Sequence, residues 1–310
     1  MILMKKEASM YRLKRKIIPA ILVMGLVVSM GMSQDTNPLF QETKIKNYIP
    51  HMTWKEFEDA LKRTDMAIIP VGSVEQHGKH LPLGTDFYGA TETAKLIAQE
   101  VDVLVAPILF LGLAEYHMGF PGTMTLSPET FEAVVYESAL SLIRHGIKKI
   151  MIYNGHGGNN VAVDNVVRKI NQTTEAVAVK LNNIEPLPEP EARLYPPYDW
   201  HAGIAETSLM LYLTNSLVDM SKAEKPVMTF PPAVEKALGF MKEEPNLEQV
   251  TSVCMFTPKE TGKKGSTREM TNTGVFSTGN PKDARAEYGK QDTERFIKAA
   301  VKFIRAWKKI

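Results

Sequence analysis

The chain has 310 residues, an ordinary apolar fraction of 44% and a formal net charge of +2. A charge so close to neutral gives no reason to expect nucleic acid or another strongly charged partner. The single cysteine, Cys254, excludes an intrachain disulfide bond.

The N-terminal segment has the pattern of a secretory signal. A basic stretch that ends at Lys16 precedes an apolar run from Ile17 to Met30, and small residues follow as far as Ser33. The run is short for a membrane span, and the small residues offer a cleavage site. We predict a signal peptide over residues 1–33, then one exported domain over residues 34–310 with no stable membrane anchor. An uncleaved anchor is the alternative.

Strands and helices alternate along the mature chain. Thr53, with Glu56 three residues later, forms a capping-box pattern that predicts a short helix. Met66–Val71 is a short apolar run and is predicted to be a buried strand. Apolar residues at spacings of three and four then predict a helix as far as Val101, and a second strand is predicted over residues 103–108.

The alternation continues through the next part of the chain. Ser127 followed by Pro128 predicts a helix start. Further strands are predicted over residues 147–153 and 176–181, with a helix between them. This order predicts an α/β fold, a mostly parallel central sheet with helices on both faces. A helix over residues 206–217 and a closing amphipathic helix follow.

Two segments are irregular. Prolines recur through residues 186–197, which form either a domain linker or, as we prefer, a stiff excursion over the edge of the sheet. Residues 222–280 contain more prolines and a polar, glycine-rich run. A lid or a contact between subunits would both fit there.

Side chains that bind metals follow the ends of the predicted strands, where ligand sites form in open parallel sheets. Imidazole and carboxylate ligands suit Zn²⁺ and Mn²⁺. Two close ions can hold a hydroxide nucleophile and polarise a carbonyl. We predict a centre of two divalent ions bridged by Asp86, which begins a helix. The predicted ligands are Glu75, His77, Asp86, His156 and Glu206.

These residues also have simpler interpretations. Glu75 could be a solvated loop carboxylate, Asp86 could cap the helix that it begins, and His117 could pack against Phe120. The glycine-rich turn over residues 154–159 could bind a phosphate through backbone N–H groups. It lacks the G-x-G-x-x-G spacing and the P-loop lysine of nucleotide sites.

Taken together, four segments resemble the creatininase (creatinine amidohydrolase) family. They cover residues 70–86, 120–123, 154–159 and 201–208, and include Glu75-Gln76-His77-Gly78 and Gly155-His156-Gly157-Gly158-Asn159. The resemblance implies a three-layer α/β/α fold, a two-metal centre of zinc, manganese or iron, and hydrolysis of a C–N bond. It also implies a homohexamer.

The resemblance further suggests individual roles. His201 is similar to the acid/base residue that serves the leaving group, and candidate substrate-binding residues are His117, Trp200 and Gly157. One position departs from creatininase, which has a glutamate ligand where this chain has Gly158. The missing carboxylate must come from elsewhere, and Glu206 is the candidate.

Three functional hypotheses follow. The first is an exported dinuclear-metal amidohydrolase acting on a small-molecule amide, in which a metal-bound hydroxide attacks the carbonyl. The second is an enzyme of the same fold acting on a sugar- or polyol-derived ketone or lactone ring. The third is a non-catalytic extracytoplasmic binding protein. The complete ligand set, with His201 beside it, favours the enzymes.

Overall fold

The computed structural model describes residues 42–184, 194–196, 198–230, 232–240, 243–244, 247 and 267–310. The predicted signal peptide, Cys254 and most of the first proline-rich segment lie outside these residues. Within the described ranges, no helix is both long and apolar enough to cross a membrane. The elements below belong to residues 45–310, which form one compact unit.

A four-stranded parallel sheet forms the middle layer, in the order β2-β1-β3-β4. The strands are β1 (Met66–Val71), β2 (Leu104–Val105), β3 (Lys149–Asn154) and β4 (Val177–Lys180). The central strand β1 has the predicted bounds and is buried along its whole length. Strand β2 is shorter than predicted, because only two of its residues pair in register with β1.

Helices cover both faces of this sheet. One face carries α1 (Trp54–Leu61), α3 (Pro128–Arg144) and α4 (Asn160–Thr173). The other carries α2 (Thr85–Glu100) and α7 (Ala286–Trp307), the last helix of the described chain. Alternate side chains of β1 enter the two apolar layers, as the period of a strand requires. This arrangement confirms the predicted three-layer α/β/α fold.

Local capping signals place two helix starts as predicted. The Thr53 side chain accepts a hydrogen bond from the backbone of Glu56, and the Glu56 carboxylate accepts one from the Thr53 backbone. The Ser127 hydroxyl accepts from the backbone N–H of Thr130 at the start of α3. These signals were readable because all their parts lie within a few residues of each other.

The second sheet was not predicted. Strand β5 (Asp199–His201) pairs antiparallel with β6 (Phe276–Ser277). Both strands are too short to show an alternating pattern. Helix α5 (Ile204–Leu213) begins soon after β5, which is earlier than predicted, and it also ends earlier than predicted. Helix α6 (Pro232–Phe240) lies in the segment that the sequence left unassigned.

Gly289 of α7 makes close packing against α5 possible. A Cβ atom at this position would overlap the backbone carbonyl of Ser208. We expect Gly289→Ala to lower the free energy of unfolding by about 1–3 kcal/mol through overpacking. The same change at an open helix position stabilises by up to ~1 kcal/mol.

Gly239→Ala in α6 is the matched control, because a Cβ there would meet no heavy atom within 4 Å. Urea unfolding of both variants checks the prediction. If Gly289→Ala were as stable as the parent protein or more stable, α5 and α7 would not be in close contact at this position.

Candidate metal centre

Every ligand predicted from the sequence lies at the carboxyl end of the parallel sheet. The loop after β1, the first turn of α2, the 3₁₀ turn Glu115–His117, the turn after β3 and the β5–α5 junction meet there. Six of the seven ionisable side chains are buried, and Glu206 is partly exposed. The seven are Glu75, His77, Asp86, His117, His156, His201 and Glu206.

His77 faces two carboxylates. Its Nδ1 lies 3.1 Å from the backbone carbonyl of Glu75, which can only accept, so Nδ1 carries the hydrogen. The other ring nitrogen, Nε2, lies 3.2 Å from Asp86 Oδ1 and 3.6 Å from Glu206 Oε2. Burial opposes protonation, but the Asp86 and Glu206 carboxylates outweigh it and raise the pKa of His77 to about 10.

Asp86 lies between two imidazoles and does not cap its helix. The N-cap of α2 is Gly84, and no side chain makes a capping bond there. Asp86 Oδ2 accepts from the Ser73 hydroxyl at 2.8 Å and lies 3.0 Å from His156 Nδ1, while Oδ1 faces His77. The two oxygens therefore face two different histidines, as a carboxylate bridging two ions would.

The β5–α5 junction places Glu206. The Asp199 carboxylate accepts hydrogen bonds from the backbone N–H groups of Ile204 and Ala205 at 3.0 and 2.7 Å. It therefore caps the N-terminus of α5 from a residue that is not part of the helix. Ala202 has a φ of +50°, and its N–H donates to Glu206 Oε2 at 2.6 Å. Glu206 lies in the first turn of α5, as predicted, where the helix dipole favours negative charge.

Glu75 is surrounded by the other imidazoles. Its Oε1 lies 3.6 Å from both His117 Nε2 and His201 Nδ1, and its Oε2 lies 3.3 Å from His156 Nε2. Burial raises the pKa of Glu75 to about 7, and burial holds the pKa values of His117 and His201 well below the usual range. Glu75 is therefore no solvated loop carboxylate.

In both His117 and His201, the ring nitrogen that faces away from Glu75 has a hydrogen-bond partner. His201 Nε2 donates to the backbone carbonyl of Gln76 at 2.6 Å. His117 Nδ1 lies 2.6 Å from the Thr267 hydroxyl, which itself donates to the Tyr116 carbonyl and so accepts from the ring. The unprotonated nitrogens of both rings are thus directed at Glu75.

Three buried side-chain atoms of this site have no hydrogen-bond partner among the described residues: both Glu75 carboxylate oxygens and His117 Nε2. Leaving such atoms unpaired is costly, and a cation between them would satisfy them all. Three overlapping groups of three residues place their donor atoms within 4.8 Å of one another. The residues present therefore fit divalent ions such as Zn²⁺ or Mn²⁺.

The candidate substrate-binding residues differ in position. The Trp200 ring lies beside the histidines, with its centroid 6.1 Å from that of His117 and 5.8 Å from that of His201. Gly157 is exposed, with no heavy atom within 4 Å of the place where a Cβ would lie. Substrate binding by these residues stays a prediction.

Sequence reasoning missed Tyr116, whose hydroxyl lies 3.1 Å from His156 Nε2. It also missed Thr267, which holds His117 from a distant part of the chain. A tyrosine or threonine in a loop carries no signal of its own. Only the position of Tyr116 next to His117 could have drawn attention to it.

Metal affinity should rise with pH. Despite burial, nearby carboxylates raise the pKa values of His156 and His77 to about 9 and 10, so both rings hold an extra proton near neutral pH. A metal ion must displace these protons when it binds. For each proton displaced, we therefore expect the affinity for the ion to fall about tenfold when the pH is lowered by one unit. Chelator competition and proton-release measurements between pH 6 and 8 check this. Affinity independent of pH would contradict it.

A comparison with protein-family models matches residues 50–304 to the creatininase family, described as creatinine amidohydrolase. Creatinine amidohydrolase of Pseudomonas putida is 31% identical over 205 residues, which cover 60% of this chain and 79% of that protein. The 3-dehydro-scyllo-inosose hydrolase of Thermotoga maritima is 35% identical over 111 residues, 36% of each chain.

Solved structures give the same result. A mutant creatininase described as of Zn–Zn type aligns with a TM-score of 0.64 and 25% identity, over 86% of this chain and 98% of that one. A manganese form of creatininase aligns with a TM-score of 0.60 and 26% identity, over 84% and 98% of the two chains.

Proposed function

Because this chain belongs to the creatininase (creatinine amidohydrolase) family, we propose that it is an exported amidohydrolase that uses two divalent ions. The family match covers most of the chain, so the chain is a creatininase-family hydrolase. The substrate that we propose is a small, cyclic amide, cleaved at its C–N bond. The proposed ions are Zn²⁺, Mn²⁺ or both, with Fe²⁺ as an alternative.

One observation carries this proposal. Four buried imidazoles each direct at least one ring nitrogen at a carboxylate, and a carbonyl or hydroxyl oxygen lies within hydrogen-bond distance of the other nitrogen. This is the arrangement in which outer partners orient metal-binding histidines. A binding protein without catalysis has no need for so many oriented ligands. The histidines are His77, His117, His156 and His201.

Glu75, His77, Asp86, His156 and Glu206 are the residues that we propose to hold the ions. Bound there, two divalent ions would make water a nucleophile at neutral pH and polarise the substrate carbonyl. Asp86 would keep the two sides of the centre together, since its two oxygens face His77 and His156. Glu206 supplies the carboxylate that Gly158 lacks.

We assign proton transfer to Nδ1 of His201. Its Nε2 is held by the Gln76 carbonyl, which leaves Nδ1 as the nitrogen directed into the site. Burial lowers the pKa of His201 well below its usual range, so the ring is neutral and Nδ1 has an open lone pair for a proton from the attacking water. Passing that proton to the leaving nitrogen completes hydrolysis. The indole of Trp200 lies beside this ring and would form one wall of the substrate site.

A second candidate function has a specific observation in its favour. The identity to the Thermotoga maritima 3-dehydro-scyllo-inosose hydrolase is 35%, although over only 36% of each chain. A polyol-derived ketone or lactone would place its carbonyl at the same ions. The two candidates share the metal centre and differ only in the bond that is cleaved.

Export and assembly are further parts of the proposal. Export rests on the basic and apolar pattern of residues 1–33, and cell fractionation tests it: a cytoplasmic protein of full length would refute it. A homo-oligomer, a hexamer by family resemblance, is testable by light scattering. A monomer at micromolar concentration would refute that part alone.

The function is tested by metal analysis joined to a hydrolysis screen. We expect two divalent ions per chain and turnover of at least one cyclic amide or formamide. Turnover of a polyol-derived ring or lactone alone would select the second candidate. Purified protein that neither retains nor binds divalent ions would overturn both.

A further inference from the structure

The Tyr116 side chain occupies the space that a side chain at position 158 would need. A Cβ at Gly158 would lie 2.6 Å from the Tyr116 hydroxyl and 2.5 Å from His156 Nε2, and would also overlap the Leu113 carbonyl. The Tyr116 ring is stacked on the imidazole of His156, with centroids 6.1 Å apart and planes at 21°. The Leu113 carbonyl, the imidazole and the phenol together therefore leave no room for a side chain at 158.

Three oxygens surround one nitrogen of His156. The Leu113 carbonyl and the Tyr116 hydroxyl both lie 3.1 Å from Nε2, and Glu75 Oε2 lies 3.3 Å from it. A carbonyl can only accept, so Nε2 carries the hydrogen and the phenol oxygen is a further acceptor for it. The ring therefore presents Nδ1 to Asp86 Oδ2, 3.0 Å away.

The Tyr116 ring is also held on its other side. It packs edge-on against the imidazole of His117, with ring centroids 4.6 Å apart. A half-buried phenol fixed in this way can hold an imidazole in place without competing for the ion.

We propose that Tyr116 is a positioning residue for His156: with the Leu113 carbonyl it holds Nε2, so that Nδ1 is the atom that binds an ion beside Asp86. This inference rests on the proposed function, because it needs His156 to be a ligand. The Tyr116 phenol also lies in the space that a side chain at position 158 would enter. The carboxylate of Glu206 lies 3.6 Å from His77 Nε2 and, with Asp86 and Glu75, acts on that ring.

Tyr116→Phe tests the inference, because it removes the hydroxyl and keeps the ring. We expect Zn²⁺ to bind about 10- to 100-fold more weakly at one of two sites, measured by chelator competition on the metal-stripped full chain. The thermal midpoint should stay close to that of the parent. The visible spectrum of the Co²⁺ form should also change, which a merely structural role would not cause.

Tyr136→Phe is the matched control. The Tyr136 hydroxyl makes an exposed hydrogen bond of 2.8 Å to Thr173, so its loss should leave Zn²⁺ affinity and the Co²⁺ spectrum unchanged. Wild-type affinity at both sites in Tyr116→Phe, with two ions bound by the parent, would overturn the inference and leave the proposed function intact. No divalent ion bound by the parent would overturn the proposed function itself.

Gly158→Ala gives a second test if Tyr116→Phe does not fold. Its methyl group would displace the phenol, the imidazole or the Leu113 carbonyl, so we expect weaker Zn²⁺ binding at one site. Gly239→Ala adds the same group away from the site, where it meets no heavy atom within 4 Å, and should keep the parent affinity for Zn²⁺. Equal affinities in the two alanine variants would overturn the inference.

Discussion

Asp86→Asn is expected to lose at least one of the two ions and to lower hydrolysis by about a thousandfold or more. The amide keeps the shape of the carboxylate but removes the negative charge between His77 and His156. It also presents a donor group to one of those two rings. The Ser73 hydroxyl lies 2.8 Å from Oδ2 and can donate to an oxygen or accept from an amide NH₂ at that position. Folding should therefore be little affected.

Metal content per chain, measured after dialysis, checks this expectation first, because it needs no knowledge of the substrate. Activity on the best substrate of the hydrolysis screen checks it second. Asp59→Asn is the matched control, since Asp59 lies on the exposed face of α1 with Lys62 and Lys55 beside it. Two tightly bound ions in Asp86→Asn would show that Asp86 does not bridge them.

The first part of the site was predictable because Glu75, His77 and Asp86 lie in one short stretch after a strand. The parallel sheet then brings the other strand ends to the same edge, so His156 was predictable from topology alone. The same rule predicted Glu206 as a residue beyond the fourth predicted strand. In the structure it follows β5, a strand that the pattern of residues did not reveal.

The orientation of each ring could not be predicted. Which nitrogen of His117 or His201 enters the site depends on its outer partner, and those partners are Thr267 and the backbone carbonyl of Gln76. Such contacts join residues far apart in the chain or involve the backbone, which is the same for every residue type. Sequence patterns report residue type and spacing, so they carry no information about these hydrogen bonds.

Gly158 shows how the structure changes the meaning of a sequence difference. As a letter it marks only an absent carboxylate ligand. In the structure, the Tyr116 phenol and the Leu113 carbonyl already fill the space beside it. Any side chain at position 158 would therefore require the phenol, the imidazole of His156 or the Leu113 carbonyl to move.

His201→Gln should retain both ions and lose about 100- to 10,000-fold in turnover, the usual contribution of a general acid/base. His201 is buried between two other imidazoles, with ring centroids 4.3 Å from His77 and 4.4 Å from His117. Glutamine preserves a donor to the Gln76 carbonyl but cannot accept and release a proton. The loss should therefore appear in kcat more than in KM.

The same variant separates catalysis from metal binding, because His201 also belongs to two of the candidate ligand groups. If His201→Gln loses an ion, then His201 is a ligand and the proton carrier must be another residue. If it keeps both ions and full turnover, the acid/base assignment is wrong. His145→Gln, exposed at the end of α3, controls for loss of an imidazole away from the site. Retained metal with lost turnover is the one combination that identifies Nδ1 of His201 as the atom that moves the proton.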